Sequence, residues 1–164
     1  MFLIISYKIS IIFFYLFSSL LNSINNINTN NFSNNIDVIK QLVNSKLHHE
    51  NGVTVKYEKR IKSQARIIKK IGNGRIPYDI YGLRIIYEDS LYSNNSEFAY
   101  SIKELLYTNF YSIDRLYDDY IQYPKSNNYQ SLHVYIVTNI LIEVQIRNNL
   151  MNINAINGSA SNYY

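Results

Sequence analysis

Two alternating runs, His133 to Val137 and Ile140 to Ile146, stand on either side of Thr138-Asn139, and they constrain the fold more than any other stretch of the chain. A period of two marks strands with one buried face, and a two-residue polar break between such runs predicts a β-hairpin. In the second run Glu143 and Gln145 fall on one face while Val144 and Ile146 fall on the other, because successive strand side chains point to opposite sides of a sheet. The hairpin thus offers a polar face to chemistry and an apolar face to a core.

The other elements follow from spacing. Ile36, Ile39, Val43 and Leu47 recur at helical intervals, which predicts an amphipathic helix over Asp37 to His49 with Asp37 near its start. Asn51-Gly52 breaks it, and Val53 to Tyr57 alternates as a strand. A second helix is predicted over Glu58 to Ile71, with Ile61, Ala65, Ile68 and Ile71 as its apolar stripe and Gly72 and Gly74 at its end. Lys62, Arg66, Lys69 and Lys70 share another face of it, and taken alone such a run is ordinarily a solvated charged face. Leu83 to Tyr87 reads as a buried strand with Asp79 at its entrance. A loop over Ser93 to Ser96 leads to a helix over Phe98 to Tyr107, with Ile102, Leu105 and Leu106 facing inward. A short strand is expected within Phe110 to Leu116, and a last helix over Asn148 to Asn157. Interleaved in this way, the elements predict an α/β (α+β) domain, a mixed sheet with helices packed on it.

With 164 residues, the chain has room for one such domain and a leader. Met1 to Leu21 is nearly all apolar, with Lys8 its single formal charge. Its uninterrupted part, Ile9 to Leu21, is shorter than the roughly 20 apolar residues of a spanning helix. Segment 1–21 therefore reads as a signal-peptide core, or alternatively as a membrane anchor that recruits Met1 to Tyr7. Segment 22–36 is rich in Asn and Ser and free of acids, and is expected to be disordered. Together they look like a two-part address to a plastid by the secretory route, leaving 37–164 as the folded domain. Cysteine is absent, which excludes disulfides, thiolate metal sites and thiol nucleophiles. The net charge of +4 favours an anionic partner, whether nucleotide, nucleic acid or membrane surface.

Asp79 and Glu143 come from different strands, and two such carboxylates with substrate phosphates make a common magnesium site. Arg60, Lys62 and Lys70 supply cations for a triphosphate, since phosphoryl chemistry rests mainly on positioning and charge stabilisation. The chain has no Gly-x-x-x-x-Gly-Lys-Ser/Thr loop, which argues against a P-loop enzyme. Tyr129 offers a ring on which a base can stack. Seventeen tyrosines make packing the ordinary role of any one of them, and it is the place after Pro124-Lys125-x-Asn127 that sets Tyr129 apart. His48, His49 and His133 have neither the spacing of metal ligands nor a Gly-x-Ser-x-Gly partner.

Five blocks in order carry a resemblance over roughly Val53 to Tyr163. They are Arg60-x-Lys62 with Lys70; Asp79-Ile80-x-Gly82-x-Arg84-Ile85-Ile86; Asp119-Tyr120-Ile121 through Pro124-Lys125 and Tyr129-Gln130-Ser131-Leu132-His133; Glu143-Val144-Gln145-Ile146-Arg147; and the spacing of Met151, Ala155, Gly158 and Ala160. This series resembles the synthetase domain of RelA/SpoT-type enzymes. The resemblance implies a nucleotidyltransferase-like mixed sheet flanked by helices. It further implies a GTP pyrophosphokinase, an ATP:GTP 3′-diphosphotransferase that moves pyrophosphate from ATP to the 3′-hydroxyl of GDP or GTP and releases AMP. On that resemblance Arg60, Lys62 and Lys70 bind ATP. Lys125, Asn127, Tyr129, His133 and Gln145 bind the guanine nucleotide, with the base on Tyr129 and phosphates at Lys125 and His133. Asp79 and Glu143 are then catalytic and hold Mg2+, and Glu143 acts as general base or orients the hydroxyl.

Arg66 stands in place of a usual serine, Asn128 of a glycine, Asp118 of a lysine, Ile156 of an acid and Asn162-Tyr163 of His-Trp. An added acid at 118 is expected to weaken phosphate binding or alter nucleotide preference. The hydrolase half of bifunctional members is not in the sequence, so a synthetase-only member is expected. The partners implied are ATP with GDP or GTP; a homo-oligomer is left open, DNA is not expected, and a membrane enters only if the leader stays uncleaved. Two alternatives stand beside this reading: an inactive relative that binds guanine nucleotides or RNA as a regulatory module, and a membrane-anchored interaction protein.

Overall fold

The computed structural model describes residues 29–47, 52–89 and 96–157. The expected leader, the histidines His48 and His49, most of the Ser93 to Ser96 loop, and Gly158 to Tyr163 lie outside them. Among the described residues no helix is long and apolar enough to cross a membrane. The chain divides into two compact units, Met1–Asn34 and Asn35–Tyr164; of the first, only 29–34 is described, and it is helical.

The second unit is built on a six-stranded sheet. Its strands are β1 (Val53–Ile61), β2 (Tyr81–Asp89), β3 (Tyr111–Ser112), β4 (Asp118–Asp119), β5 (Leu132–Val137) and β6 (Leu141–Asn148). The order is β1-β2-β6-β5-β3, with β4 also on β5. Only β2 and β6 run parallel, and all other pairs are antiparallel. The sheet is therefore mixed, as expected. Leu83, Ile85, Val134, Ile136, Val144 and Ile146 share one face and are all buried. Helix α3 (Glu97–Asn109) packs on β5 and β6 through Phe98, Ala99, Ile102 and Leu106. Phe98 meets Tyr87 of β2 edge-on at 5.1 Å, a favoured aromatic geometry.

Helix α1 covers 29–47. It is joined to β1 by the hydroxyl of Tyr57, which donates to Asn44 Oδ1 at 2.7 Å. The helix starts upstream of Asp37, so residues 29–36 are helical where disorder was expected. The apolar stripe Ile36, Ile39 and Val43, fully buried, starts within that segment and supplies the burial that its composition alone withholds.

Glu58 to Ile61 corrects the reading more sharply, because these residues are strand and α2 is confined to Gln64–Gly72. Glu58 and Arg60 pair with Arg84 and Gly82 of β2 in unbroken register, and a ladder of that length overrides the helical propensity of Glu, Lys and Arg. The α2 stripe moves accordingly. Ile67 is its buried residue, while Ile61, Ile68 and Ile71 are exposed. Gly74 ends the turn after α2 with φ +71°, a conformation open to glycine at no steric cost. Phe110 to Leu116 holds only the two-residue β3 and a 3-10 turn over Asp114–Leu116. That turn interrupts the edge between β3 and β4. Helix α4 (Asn149–Asn157) packs on β2 and β6, and its Ala155 clusters with Tyr129 and Tyr120.

Candidate active site

The face of the sheet opposite the core carries two polar rows. Arg60, Gly82, Glu143 and Tyr135 lie side by side across β1, β2, β6 and β5, and Glu58, Arg84, Gln145, His133 and Asp118 form the next row. Each row follows from the strand period of two once the register is set. Expectations from sequence placed Arg60, Glu143, Gln145 and His133 in the site, and the register brings all four together. Glu58 and Tyr135 escaped notice, and Arg84, though part of the resemblance, was given no role. Tyr135 stands two residues beyond His133, a position already singled out, and that spacing was the available signal.

Glu143 is buried, 7% exposed. Its Oε1 receives the Tyr135 hydroxyl at 3.0 Å and faces His133 Nδ1 at 3.1 Å, while Oε2 receives Gln145 Nε2 at 3.1 Å. Burial pushes the carboxyl up, but the His133 and Tyr135 contacts outweigh burial and the nearby Asp79 charge, so it titrates below the usual glutamate value. A carboxylate only accepts, so His133 donates to it from Nδ1, and Nε2 lies within hydrogen-bond distance of the Tyr129 hydroxyl, 2.8 Å away. A chain of hydrogen bonds thereby runs from Tyr129 through His133 to Glu143.

Asp79 occupies the turn just before β2, as expected. Lys62 binds its Oδ2, and Lys70 binds Oδ1 at 2.8 Å. Burial raises this carboxyl, yet the two ammonium groups overcome burial and hold it at about 2. Both carboxylates are thus ionised at neutral pH and offer hard oxygen donors, the chemistry that Mg2+ selects. Among the described residues no cluster of three or more His, Cys, Asp or Glu side chains is placed to hold a metal. Two carboxylates completed by phosphate oxygens suffice for that ion.

Two clefts flank this centre and share Arg60. One, about 420 Å³, is lined by Arg60, Lys62, Arg66, Lys69, Lys70 and Arg75 along with Asn73. The basic face of α2 therefore lines one wall of an open cleft, with Arg66 and Lys69 still exposed to solvent. The other, about 200 Å³, lies over Gly82 and is walled by Arg60, Glu58, Arg84, Glu143 and Gln145. Arg84 is fixed by Glu58 at 2.8 Å. A planar guanidinium held in that way can stack on a ring.

The loop from Tyr120 to Ser131 closes the other side. Lys125 Nζ lies 4.2 Å from the centre of the Tyr120 ring and 5.3 Å from that of Tyr129. Asn127 Oδ1 accepts from the Tyr129 backbone N–H at 3.2 Å. Tyr129 itself is only 4% exposed, edge-on to Tyr120 and His133 and 5.9 Å from the Arg147 guanidinium. Asn128 has φ +60°, the left-handed turn that asparagine tolerates better than other side chains. Asp118 sits opposite His133 in the ladder and bonds the Tyr120 hydroxyl; burial, then this acid, push that hydroxyl up to about 12. Asp119 is structural, receiving the Tyr100 and Tyr117 hydroxyls and the backbone N–H groups of Ile121 and Gln122.

A family model described as a region found in RelA / SpoT proteins matches residues 59–164. The chain belongs to the RelA/SpoT family. Among curated RelA/SpoT-related proteins, a guanosine-3′,5′-bis(diphosphate) 3′-pyrophosphohydrolase of Spiroplasma citri is 31% identical over 151 residues, 88% of this chain. The chain spans about a fifth of that relative's length, 19%. The small alarmone synthetase 2 of Bacillus subtilis superposes with a TM-score of 0.59 at 26% identity, over 76% of this chain and 72% of that one. The small alarmone synthetase 1 of the same organism, solved with its product pppGpp, gives a TM-score of 0.62 at 24% identity over 79% and 74%. The mixed sheet with its flanking helices is thus the fold of this RelA/SpoT group, as the sequence led us to expect.

Proposed function

We propose that this RelA/SpoT domain transfers pyrophosphate from ATP to the 3′-hydroxyl of GDP or GTP. The observation that carries the reading is the shared wall of the two clefts. Arg60 joins a cleft rich in cations to one whose floor is Gly82 and whose far side is Glu143, so a nucleotide with its phosphates in the first sets its ring against Arg84 in the second. Arg60, Lys62 and Lys70 neutralise the triphosphate, and Arg66 adds a cation where the family pattern has serine. The names of the solved neighbours, alarmone synthetases with one bound to pppGpp, agree with this assignment.

Asp79, completed by phosphate oxygens, would hold Mg2+, with the Glu143 charge supporting it from beside the acceptor hydroxyl; the ion when bound would neutralise charge developing on the transferred phosphates. Lys62 and Lys70 turn from Asp79 to the incoming phosphates, leaving the carboxylate free. Glu143 accepts the proton of the acceptor 3′-hydroxyl, a role that requires hydrogen-bond reach and an ionised carboxylate. Lys125, Asn127, Tyr129, His133 and Gln145 receive the acceptor nucleotide. A Tyr129 ring this covered presents no open face, so the Lys125 loop swings outward when the base stacks there.

A second reading, a nucleotide-binding relative without turnover, draws on that same closed ring. The test is incubation of the full chain with γ-labelled ATP, magnesium and GDP or GTP, with Glu143→Ala as control. Labelled ppGpp or pppGpp that disappears in the variant is expected. Binding of GDP without any labelled product, from folded protein, would favour the second reading.

A further inference from the structure

Tyr135 has no part in the resemblance, yet its hydroxyl makes one of three contacts that fix Glu143. Cross-strand neighbours on one face stand about 5 Å apart at Cβ, and Tyr135 is paired directly with Glu143. Its hydroxyl donates to Oε1 at 3.0 Å, on the same oxygen that His133 Nδ1 approaches at 3.1 Å. Oε1 thus has both lone pairs engaged, whereas among the described residues Oε2 receives Gln145 alone. One lone pair of Oε2 remains for a further donor, and Glu143 and Gln145 both line the cleft over Gly82.

We propose that Tyr135 is a positioning residue which, with His133, locks Oε1 of Glu143 so that Oε2 is the oxygen presented to the acceptor hydroxyl. Without the Tyr135 hydroxyl Oε1 keeps only the imidazole contact, and the carboxylate is free to turn about its last bond. The inference deepens the reading of Glu143 as the group that takes the 3′-hydroxyl proton. It also assigns the two oxygens different tasks.

The test is Tyr135→Phe in the full chain, read in two ways. Crystal structures of wild type and variant report the Glu143 carboxylate, which is expected to rotate away from His133 in the variant. Steady-state kinetics are expected to give a kcat lower by roughly ten- to a hundredfold, since small misplacements of a reacting group cost factors of that order. The acceptor KM should change by less than about twofold, which a general loosening of the fold would not produce. An unmoved carboxylate, or an unchanged kcat with active enzyme, overturns the assignment. If wild type transfers no pyrophosphate but the carboxylate still rotates in the variant, the positioning role stands and the synthetase reading is what fails.

Discussion

The Tyr129 hydroxyl and His133 Nε2 lie 2.8 Å apart, so the ring proposed to receive the base is tied to the side chain that contacts Glu143. The two functions of Tyr129 are separable. Tyr129→Phe keeps the ring and removes the hydrogen bond, and should lower kcat with little change in acceptor KM. Tyr129→Ala removes both, and should raise the KM for GDP or GTP by roughly five- to a hundredfold, the equivalent of about 1 to 3 kcal/mol of stacking. Initial rates against acceptor concentration separate the two, and an unchanged KM in Tyr129→Ala would remove the stacking role.

Gly82 forms the floor of the smaller cleft. The nearest atoms a Cβ there would meet are Arg60 O at 3.7 Å, Arg60 Cβ at 3.8 Å and Glu143 O at 3.8 Å, all ordinary contacts. Gly82→Ala should fold with stability within about 1 kcal/mol of wild type. Gly82→Leu should fill the space beside Arg84 and raise the KM for ATP at least about tenfold, as judged against thermal unfolding of the same protein. Equal ATP affinity in both variants would move the donor ring out of this cleft.

Lys62 and Lys70 hold Asp79 at about 2, below the ordinary aspartate value, and the sign of the linkage follows. The folded state binds this proton less readily than the unfolded chain, so the ion pairs add stability above about pH 4 and lose it as pH falls toward 2. A depression of this size corresponds to about 2 kcal/mol. Asp79→Asn should therefore be less stable than wild type at pH 7 and should converge on it near pH 2 in urea unfolding. Parallel pH profiles for the two proteins would contradict the double ion pair.

Asn128 adopts φ +60° where the family pattern has glycine. Asn128→Gly should leave stability within about 0.5 kcal/mol, because the turn already has the shape glycine favours. Asn128→Val should cost about 1 to 2 kcal/mol, since a β-branched side chain clashes in the left-handed region. Chemical denaturation of the two variants measures the difference.

The sequence made the hairpin plain, and with it the common face of His133, Glu143 and Gln145, because a period of two leaves few alternatives. Asp79 at the entrance of β2 was legible for the same reason. Glu58 to Ile61 was not, since Glu, Lys and Arg favour a helix when read locally and only pairing with Leu83 and Gly82 makes them strand. That single error hid Glu58 as the anchor of Arg84. Tyr135 was hidden differently. In a chain so rich in tyrosine nothing local marks one of them, and its contact with Glu143 comes from cross-strand register. The helical state of residues 29–36 escaped because asparagine-rich composition suggests disorder, whereas burial of Ile36 and the residues after it is a tertiary property.

The register between β2 and β6 has one further consequence. Slipping β6 by one residue would send Glu143 and Gln145 into the apolar layer and turn Val144 and Ile146 toward the cleft, with Arg60 and Gly82 left facing hydrocarbon. Core and chemistry are thus two sides of one alignment. Half-correct pairing yields neither, so the packing that seats Val144 and Ile146 in the core also turns Glu143 to the cleft.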